Sequence, residues 1–256
     1  MDLQLKGKNA VVLGGTRGIG RAIADTLAAE GANVAICARN ADEVASAKAA
    51  FQKMGVKAVG GAVDITDGAA LKDWVAKAAG ELGGLDILVS NAGAMAQGAD
   101  PAAWEANFKL DVLGAVNAFD AAQPFLVKSA QEKGDASFTI ISSVSAAETD
   151  RADSYGPIKA ALIHYAKGLA RQFGPKRVRA NVVSPGAIYF EGGVWNQVEK
   201  NAPDFFKGML GRIPMGRFGA PQDIANAAVF LASPAASYAS GVNWVVDGAT
   251  SRRVNF

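Results

Sequence analysis

One cysteine and one histidine stand among the 256 residues of this chain, and these two scarcities exclude much. A lone Cys37 closes no disulfide within the chain, which suits a reducing compartment. In the apolar run 34–38 it reads as a small buried hydrophobe. A lone His164 excludes a multi-histidine metal site and leaves no histidine to tune a serine triad; no metal is expected. It falls in a long apolar helical stretch, where packing in the core or at an interface is its expected role. Charge of one sign is also lacking. The 26 basic and 24 acidic residues leave a formal charge of +2, which gives no case for nucleic acid. The short basic runs Lys176-Arg177-Val178-Arg179 and Arg252-Arg253 read as solvated ends of elements. No uninterrupted apolar stretch approaches the roughly 18 residues of a membrane span. Residues 1–6 lead toward a strand without a signal-peptide pattern. A soluble, cytoplasmic protein bound to neither nucleic acid nor membrane is the default expectation. Linkers, low-complexity tracts and internal repeats are missing too, so one domain over residues 1–256 is the economical reading.

What is present is an alternation. Short, nearly continuous apolar runs fall at 9–13, 33–38, 56–62, 86–90, 137–142, 179–183 and 242–246. Alanine-rich helical stretches separate them at 19–30, 41–54, 69–82, 104–129, 154–173 and 221–232, with a further irregular helical stretch at 191–210. Strands that are apolar throughout are buried on both faces, and strand–helix alternation indicates a parallel sheet with helices on both sides. The fold class is therefore α/β: a doubly wound parallel sheet of about seven strands flanked by helices. The longest irregular stretch, 185–221, reads as an insertion over the carboxyl edge of the sheet, where such folds bind ligands. A substrate-covering segment is expected around 187–215.

The first strand runs into Gly14-Gly15-Thr16-Arg17-Gly18-Ile19-Gly20 and then an apolar helix. Glycines there let the backbone approach a pyrophosphate, and a helix N-terminus offers free N–H groups. The spacing G-x-x-x-G-x-G differs from the commoner G-x-G-x-x-G, and a plain tight turn is the competing reading. The second strand ends in Ala38, Arg39 and Asn40. An NAD site normally has an acidic residue near here for the ribose 2′-OH. Arg39, helped by Arg17, suits a 2′-phosphate instead, so NADP(H) is preferred and NAD(H) remains possible. Asp64 and Ile65 follow the third strand and could meet the adenine. Asn91, Ala92 and Gly93 follow the fourth and either line the cofactor or brace the sheet.

Tyr155 and Lys159 lie four apart, a spacing that puts both on one helix face. A lysine beside a tyrosine favours the phenolate, and such a tyrosine can exchange a proton with an alcohol or ketone. The stretch Ser142-Ser143-Val144-Ser145 just upstream offers hydroxyls for the same oxygen. Pro157 is tolerated only in a first helical turn, which sets the helix start near Asp153 or Ser154. Taken singly, Y-x-x-x-K is usually a solvated helix face.

Together these features resemble the short-chain dehydrogenase/reductase family over essentially the whole chain, with a general likeness to its 3-oxoacyl-[acyl-carrier-protein] reductases. The residues that carry it are Gly14 to Gly20, Asp64, Asn91-Ala92-Gly93, Ser143, Tyr155, Lys159, Asn181, Pro185-Gly186 and Val245-Val246-Asp247-Gly248. The resemblance implies Tyr155 as general acid or base and Lys159 as its partner, holding the nicotinamide ribose. It implies Ser143 as the hydroxyl that orients the substrate oxygen, with Ser142 a minor candidate. Pro185, Gly186 and Ile188 would border the nicotinamide. The family's catalytic asparagine falls at Asp111; an aspartate could keep that role, but its charge would raise the pKa of a nearby tyrosine unless Lys159 offsets it. Phe190 stands where a threonine is usual.

Ser145, Ala187, Tyr189, Phe190 and Trp195, with Ala94, Met95 and Val194, are candidate pocket residues; they suit a carbonyl compound of medium size with an apolar part. The charged loop Glu148-Thr149-Asp150-Arg151-Ala152-Asp153 could touch a polar substituent or face water. The resemblance further implies a homotetramer or homodimer. The expected function is hydride transfer between NADP(H) and a ketone or secondary alcohol. The alternative is a non-catalytic NADP(H)-binding sensor or scaffold on the same fold, which binding without turnover would reveal.

Overall fold

The computed structural model describes residues 1–96, 98–149 and 152–254. Seven strands form one sheet: β1 (Asn9–Leu13), β2 (Asn33–Ala38), β3 (Ala58–Ala62), β4 (Ile87–Ser90), β5 (Ala136–Ile141), β6 (Val178–Pro185) and β7 (Asn243–Val246). Their order is β3-β2-β1-β4-β5-β6-β7, and every pairing is parallel. β1 shows why the strands are apolar throughout. Val11 and Leu13 enter one core cluster and Ala10 and Val12 the other, because successive side chains leave a strand on opposite faces. Helices α3 (Gly68–Leu82), α5 (Gly114–Lys133) and α6 (Tyr155–Phe173) cover the first face. Helices α1 (Gly18–Ala29), α2 (Ala41–Lys53) and α9 (Pro221–Ala232) cover the second. The two edge strands are the exceptions: β7 stays partly exposed throughout, and β3 does from Gly60 on.

Local chemistry sets the helix ends. Asn40 accepts from the N–H groups of Asp42 and Glu43 at the start of α2, and Asp67 does the same for Ala69 and Ala70 at α3. Gly83 then ends α3 in the left-handed region, at φ 89°. The stretch expected as one helix over 104–129 is instead α4 (Pro101–Asn107), a π-helical segment (Phe108–Leu113) and α5. Asp100 caps α4, with Pro101 in its first turn. The irregular stretch 191–210 resolves into α7 (Val194–Asn201) and α8 (Pro203–Leu210). No described helix is long and apolar enough to cross a membrane.

Two single-residue expectations change. His164 is exposed on α6 rather than packed in the core. Arg179 is not a solvated end: it is 4 % exposed. Its guanidinium forms a forked pair with Asp135 at 2.7 and 3.0 Å. It also donates to the carbonyls of Leu231 at 2.6 Å and Ser233 at 3.0 Å, at the C-terminal end of α9, where helix carbonyls lack partners of their own. Replacing Arg179 by methionine strands the Asp135 carboxylate and these carbonyls. The expected loss is about 3–5 kcal/mol of unfolding free energy, measurable by urea titration. Cys37 is fully buried as expected. Burial pushes its thiol pKa up to about 12, against a smaller opposing effect of the Gly14 backbone.

Candidate active site

The winding of the sheet reverses between β1 and β4, and open α/β sheets take ligands at the carboxyl ends beside such a reversal. The loops after β1, β4, β5 and β6 meet there, and the glycine loop is folded onto the end of β4. Gly14 has φ +71°, and a Cβ on it would stand 3.2 Å from Ala92. Gly20 abuts the Gly14 carbonyl and the Asn91 amide, and Asn91 donates to that carbonyl at 3.2 Å. Helix α1 then starts with Arg17 as its N-cap, no side-chain cap and no acidic residue in its first turn. By contrast α2 has both a cap and the acidic Asp42 and Glu43. The N-terminus of α1, with neither a side-chain cap nor an acidic residue, fits a diphosphate.

Further along this edge, Arg17 and Arg39 are exposed, while Thr16 donates to Glu43 at 2.9 Å. The hydroxyl and N–H of Thr66 hold the Asp64 carboxyl below the usual range, with a weaker contribution from the Arg39 charge. Ile65 points the other way: its side chain is buried in the core and fills the space beside Gly114.

The residues expected to carry the chemistry come together where α6 meets the β5 loop. Tyr155 opens α6, which matches the constraint from Pro157; Ser154 before it makes no side-chain cap, and the Asp153 carboxylate accepts from the Tyr155 N–H at 3.1 Å. A Cβ on Gly156 would stand 2.6 Å from the Ser145 carbonyl, so the first turn of α6 is seated directly on residues 143–146. The two neighbouring serines differ. Ser142 donates to the Lys159 carbonyl at 2.9 Å, so its proton is committed to the helix backbone. Ser143 accepts from the Ser145 N–H at 3.1 Å; a hydroxyl that accepts keeps its own proton to donate.

Lys159 is 4 % exposed. Its Nζ lies 5.6 Å from the centre of the Tyr155 ring, 3.3 Å from the Ile141 carbonyl and 3.4 Å from Asp111 Oδ1. Burial alone would lower the Lys159 pKa, but the charges of Tyr155 and Asp111 outweigh it and hold it above the ordinary lysine value. Asp111 sits in the π-helical segment at 2 % exposure. Such segments recur at functional sites. Burial raises its carboxyl pKa, with Lys159 and the Ala94 N–H opposing. Its Oδ2 is buried and makes no hydrogen bond among the described residues. A Cβ on Gly93 would stand 2.7 Å from Asp111 Oδ1 and 3.4 Å from Lys159 Nζ, so glycine is what lets the β4 loop reach the pair.

One organising residue escapes the sequence reading. Asn107, fully buried, exchanges hydrogen bonds with the backbone N–H and carbonyl of Ala96, each 3.0 Å, and donates to Ser154 at 2.9 Å. It ties the β4 loop to the start of α6. Its position four before Asp111, on the same helical face, is the signal that could have found it.

The residues named for the pocket separate. Ala187 and Ile188 are buried, and Ile188 bridges to Gly219. Gly186 abuts Asp247, with a Cβ position 2.7 Å away, so Pro185-Gly186 fastens β6 to β7. Tyr189 and Trp195 join an aromatic cluster with Phe205, Phe206 and Phe218 around α7 and α8. The Tyr189 hydroxyl bonds Glu199 and Asn196. The Phe190 ring instead packs on Gly18 of the glycine loop, 2.6 Å from where a Cβ would be, and on Gly193. In the charged loop, Glu148 accepts from the Arg252 N–H at 2.9 Å, while Asp150 and Arg151 lie outside the described residues. No cluster of three or more His, Cys, Asp or Glu suited to a metal occurs among the described residues.

The chain is similar over nearly its whole length to known proteins. A family model described as Enoyl-(Acyl carrier protein) reductase matches residues 14–250. The chain is 39 % identical over 251 residues to isoepoxydon dehydrogenase patN of Penicillium expansum, covering 95 % of each chain. It is 32 % identical over 250 residues to 3-oxoacyl-[acyl-carrier-protein] reductase FabG of Escherichia coli, covering 96 % of this chain and 98 % of the relative. Among solved structures it superposes on L-sorbose reductase from Gluconobacter frateurii, complexed with NADPH and L-sorbose, with a TM-score of 0.89, 30 % identity and coverage of 99 % and 100 %. It superposes equally on a 7α-hydroxysteroid dehydrogenase complexed with NADH and 7-oxo glycochenodeoxycholic acid, with a TM-score of 0.89, 33 % identity and coverage of 99 % and 98 %.

Proposed function

The chain belongs to the short-chain dehydrogenase/reductase family, and from that premise we propose that it is an NADP(H)-dependent oxidoreductase acting on a ketone or secondary alcohol. The observation that carries this reading is the buried Lys159 beside the Tyr155 ring, on a helix whose first turn is seated on the Ser145 carbonyl. With its diphosphate held at the glycine loop, the cofactor would supply or accept the hydride at its nicotinamide. The chain's own side chains handle the proton. The Tyr155 hydroxyl gives its proton to the substrate oxygen in reduction and takes one in oxidation. Ser143 donates its free hydroxyl proton to the same oxygen and orients it. An ammonium has three donors; Lys159 uses two on Asp111 and Ile141, and the third would hold the nicotinamide ribose of a bound cofactor.

Arg17 and Arg39, with Ala38 where an acidic residue would bind a ribose hydroxyl, support a preference for NADP(H), with NAD(H) accepted more weakly. Arg39→Ala is expected to weaken NADPH binding about tenfold, the loss of one charge-assisted hydrogen bond at an exposed site, and to leave NADH affinity unchanged. Isothermal calorimetry with both cofactors reads this directly. The aromatic segment 187–215 is the substrate cover, and it suits a carbonyl compound of medium size with an apolar body. Assembly as a homodimer or homotetramer in the cytoplasm is the expected setting, and the partly exposed edge strand β7 offers one face for it.

Incubation with NADPH and a panel of cyclic and open-chain ketones, followed by NADPH absorbance, tests the reading. Sustained consumption supports it. NADPH binding without turnover across the panel would favour the sensor or scaffold reading.

A further inference from the structure

We propose that the Asp111 carboxylate is a positioning residue that offsets the charge of Lys159 and so keeps Tyr155 in its proton-bearing form, biasing the site toward carbonyl reduction. The inference rests on the oxidoreductase reading above and adds a direction to it.

The geometry makes Lys159 the middle member of three. Its Nζ lies 3.4 Å from Asp111 Oδ1 and 5.6 Å from the Tyr155 ring centre. Asp111 and Lys159 are 2 % and 4 % exposed, so water screens their charges poorly. The groups facing Asp111 can be named by element. From α6 it is Lys159, which in turn neighbours Tyr155. From the β4 loop they are Gly93 and the Ala94 N–H, neither titratable. From the preceding turn Asn107 is neutral and already engaged. Lys159 also meets the Ile141 carbonyl of β5.

An ammonium alone would draw the tyrosine toward phenolate. An adjacent carboxylate cancels much of that pull. The cost of this carboxylate is visible in its second oxygen, buried without a hydrogen bond. An amide of the same shape could take the same Lys159 contact without the charge.

The sign follows from the carboxyl's own equilibrium. Burial raises its pKa above the ordinary carboxylate value, Lys159 and Ala94 opposing. Below that pKa the acid is neutral, as an amide is, and wild type and Asp111→Asn behave alike. Above it the wild type carries one more negative charge, and the two diverge.

The test uses the cofactor-free protein and its phenolate absorbance against pH, with the Tyr155→Phe titration subtracted to isolate Tyr155. In Asp111→Asn that signal is expected at a pH lower by about one unit. The rising limb of alcohol oxidation should move down with it, through kcat and with little change in KM for NADP⁺. Coincident titrations of the two proteins overturn the inference, whatever the turnover. A shifted titration with no turnover on any substrate sinks the oxidoreductase reading alone. Where Asp111→Asn does not fold, carboxyl ¹³C resonances of the wild type replace it. The Asp111 signal must move as Tyr155 ionises and stay still over that range in Tyr155→Phe; an unmoved signal in the wild type overturns the proposal.

Discussion

Gly20→Ala is expected to lose NADPH binding and to lower stability together. The added methyl would be driven into the Gly14 carbonyl and the Asn91 amide. The first is backbone, and the second is held there by its own hydrogen bond to that carbonyl. Neither yields cheaply, and overpacking of this kind costs about 1–3 kcal/mol. The loop must open to relieve it, and the opened loop no longer presents the N-terminus of α1. NADPH affinity should therefore fall at least about tenfold. Gly80→Ala is the matched control, because nothing lies within 4 Å of a Cβ there. In the interior of α3 that change should be neutral or stabilising by up to about 1 kcal/mol. Thermal melts and a fluorescence titration with NADPH separate the two. Wild-type affinity in Gly20→Ala would mean that the glycine loop is not the cofactor cradle.

Tyr155→Phe is expected to lower kcat by roughly 10² to 10⁴, the usual contribution of a placed acid–base group, while NADPH binding persists. The ring that opens α6 and faces Lys159 is kept, so the fold and the Lys159–Asp111 pair should survive. Rapid-mixing kinetics at saturating NADPH would show the loss in the chemical step. A variant that turns over like the wild type would take the proton-transfer role away from Tyr155.

These two residues were legible in the sequence because their signals are local. A glycine loop at the end of a first strand and a tyrosine–lysine pair one helical turn apart each need only a few adjacent positions. The sheet was legible for a similar reason: apolar runs such as Val11, Val12 and Leu13 serve both faces at once. The π-helical segment was not. Apolar periodicity over 104–129 reads as one helix, and the pairing that widens a turn depends on what packs beside it. Yet the N-terminal signal of α4, Asp100 followed by Pro101, was present and passed over. Arg179 was missed because its partners, Asp135 and the end of α9, are distant in sequence. Phe190 could be counted to its position after Pro185-Gly186, but its packing on Gly18 arises only when β6 and β1 deliver their loops to one edge.

The central claim is hydride transfer to a carbonyl carbon with Tyr155 supplying the proton. NADPH deuterated at nicotinamide C4 on the transferred face, incubated with a ketone that the enzyme consumes, tests it by mass spectrometry and NMR of the product. The account predicts an alcohol with one deuterium on the carbinol carbon, formed by the wild type and nearly lost with Tyr155→Phe. NADPH oxidation that leaves the ketone unlabelled and unreduced would contradict it.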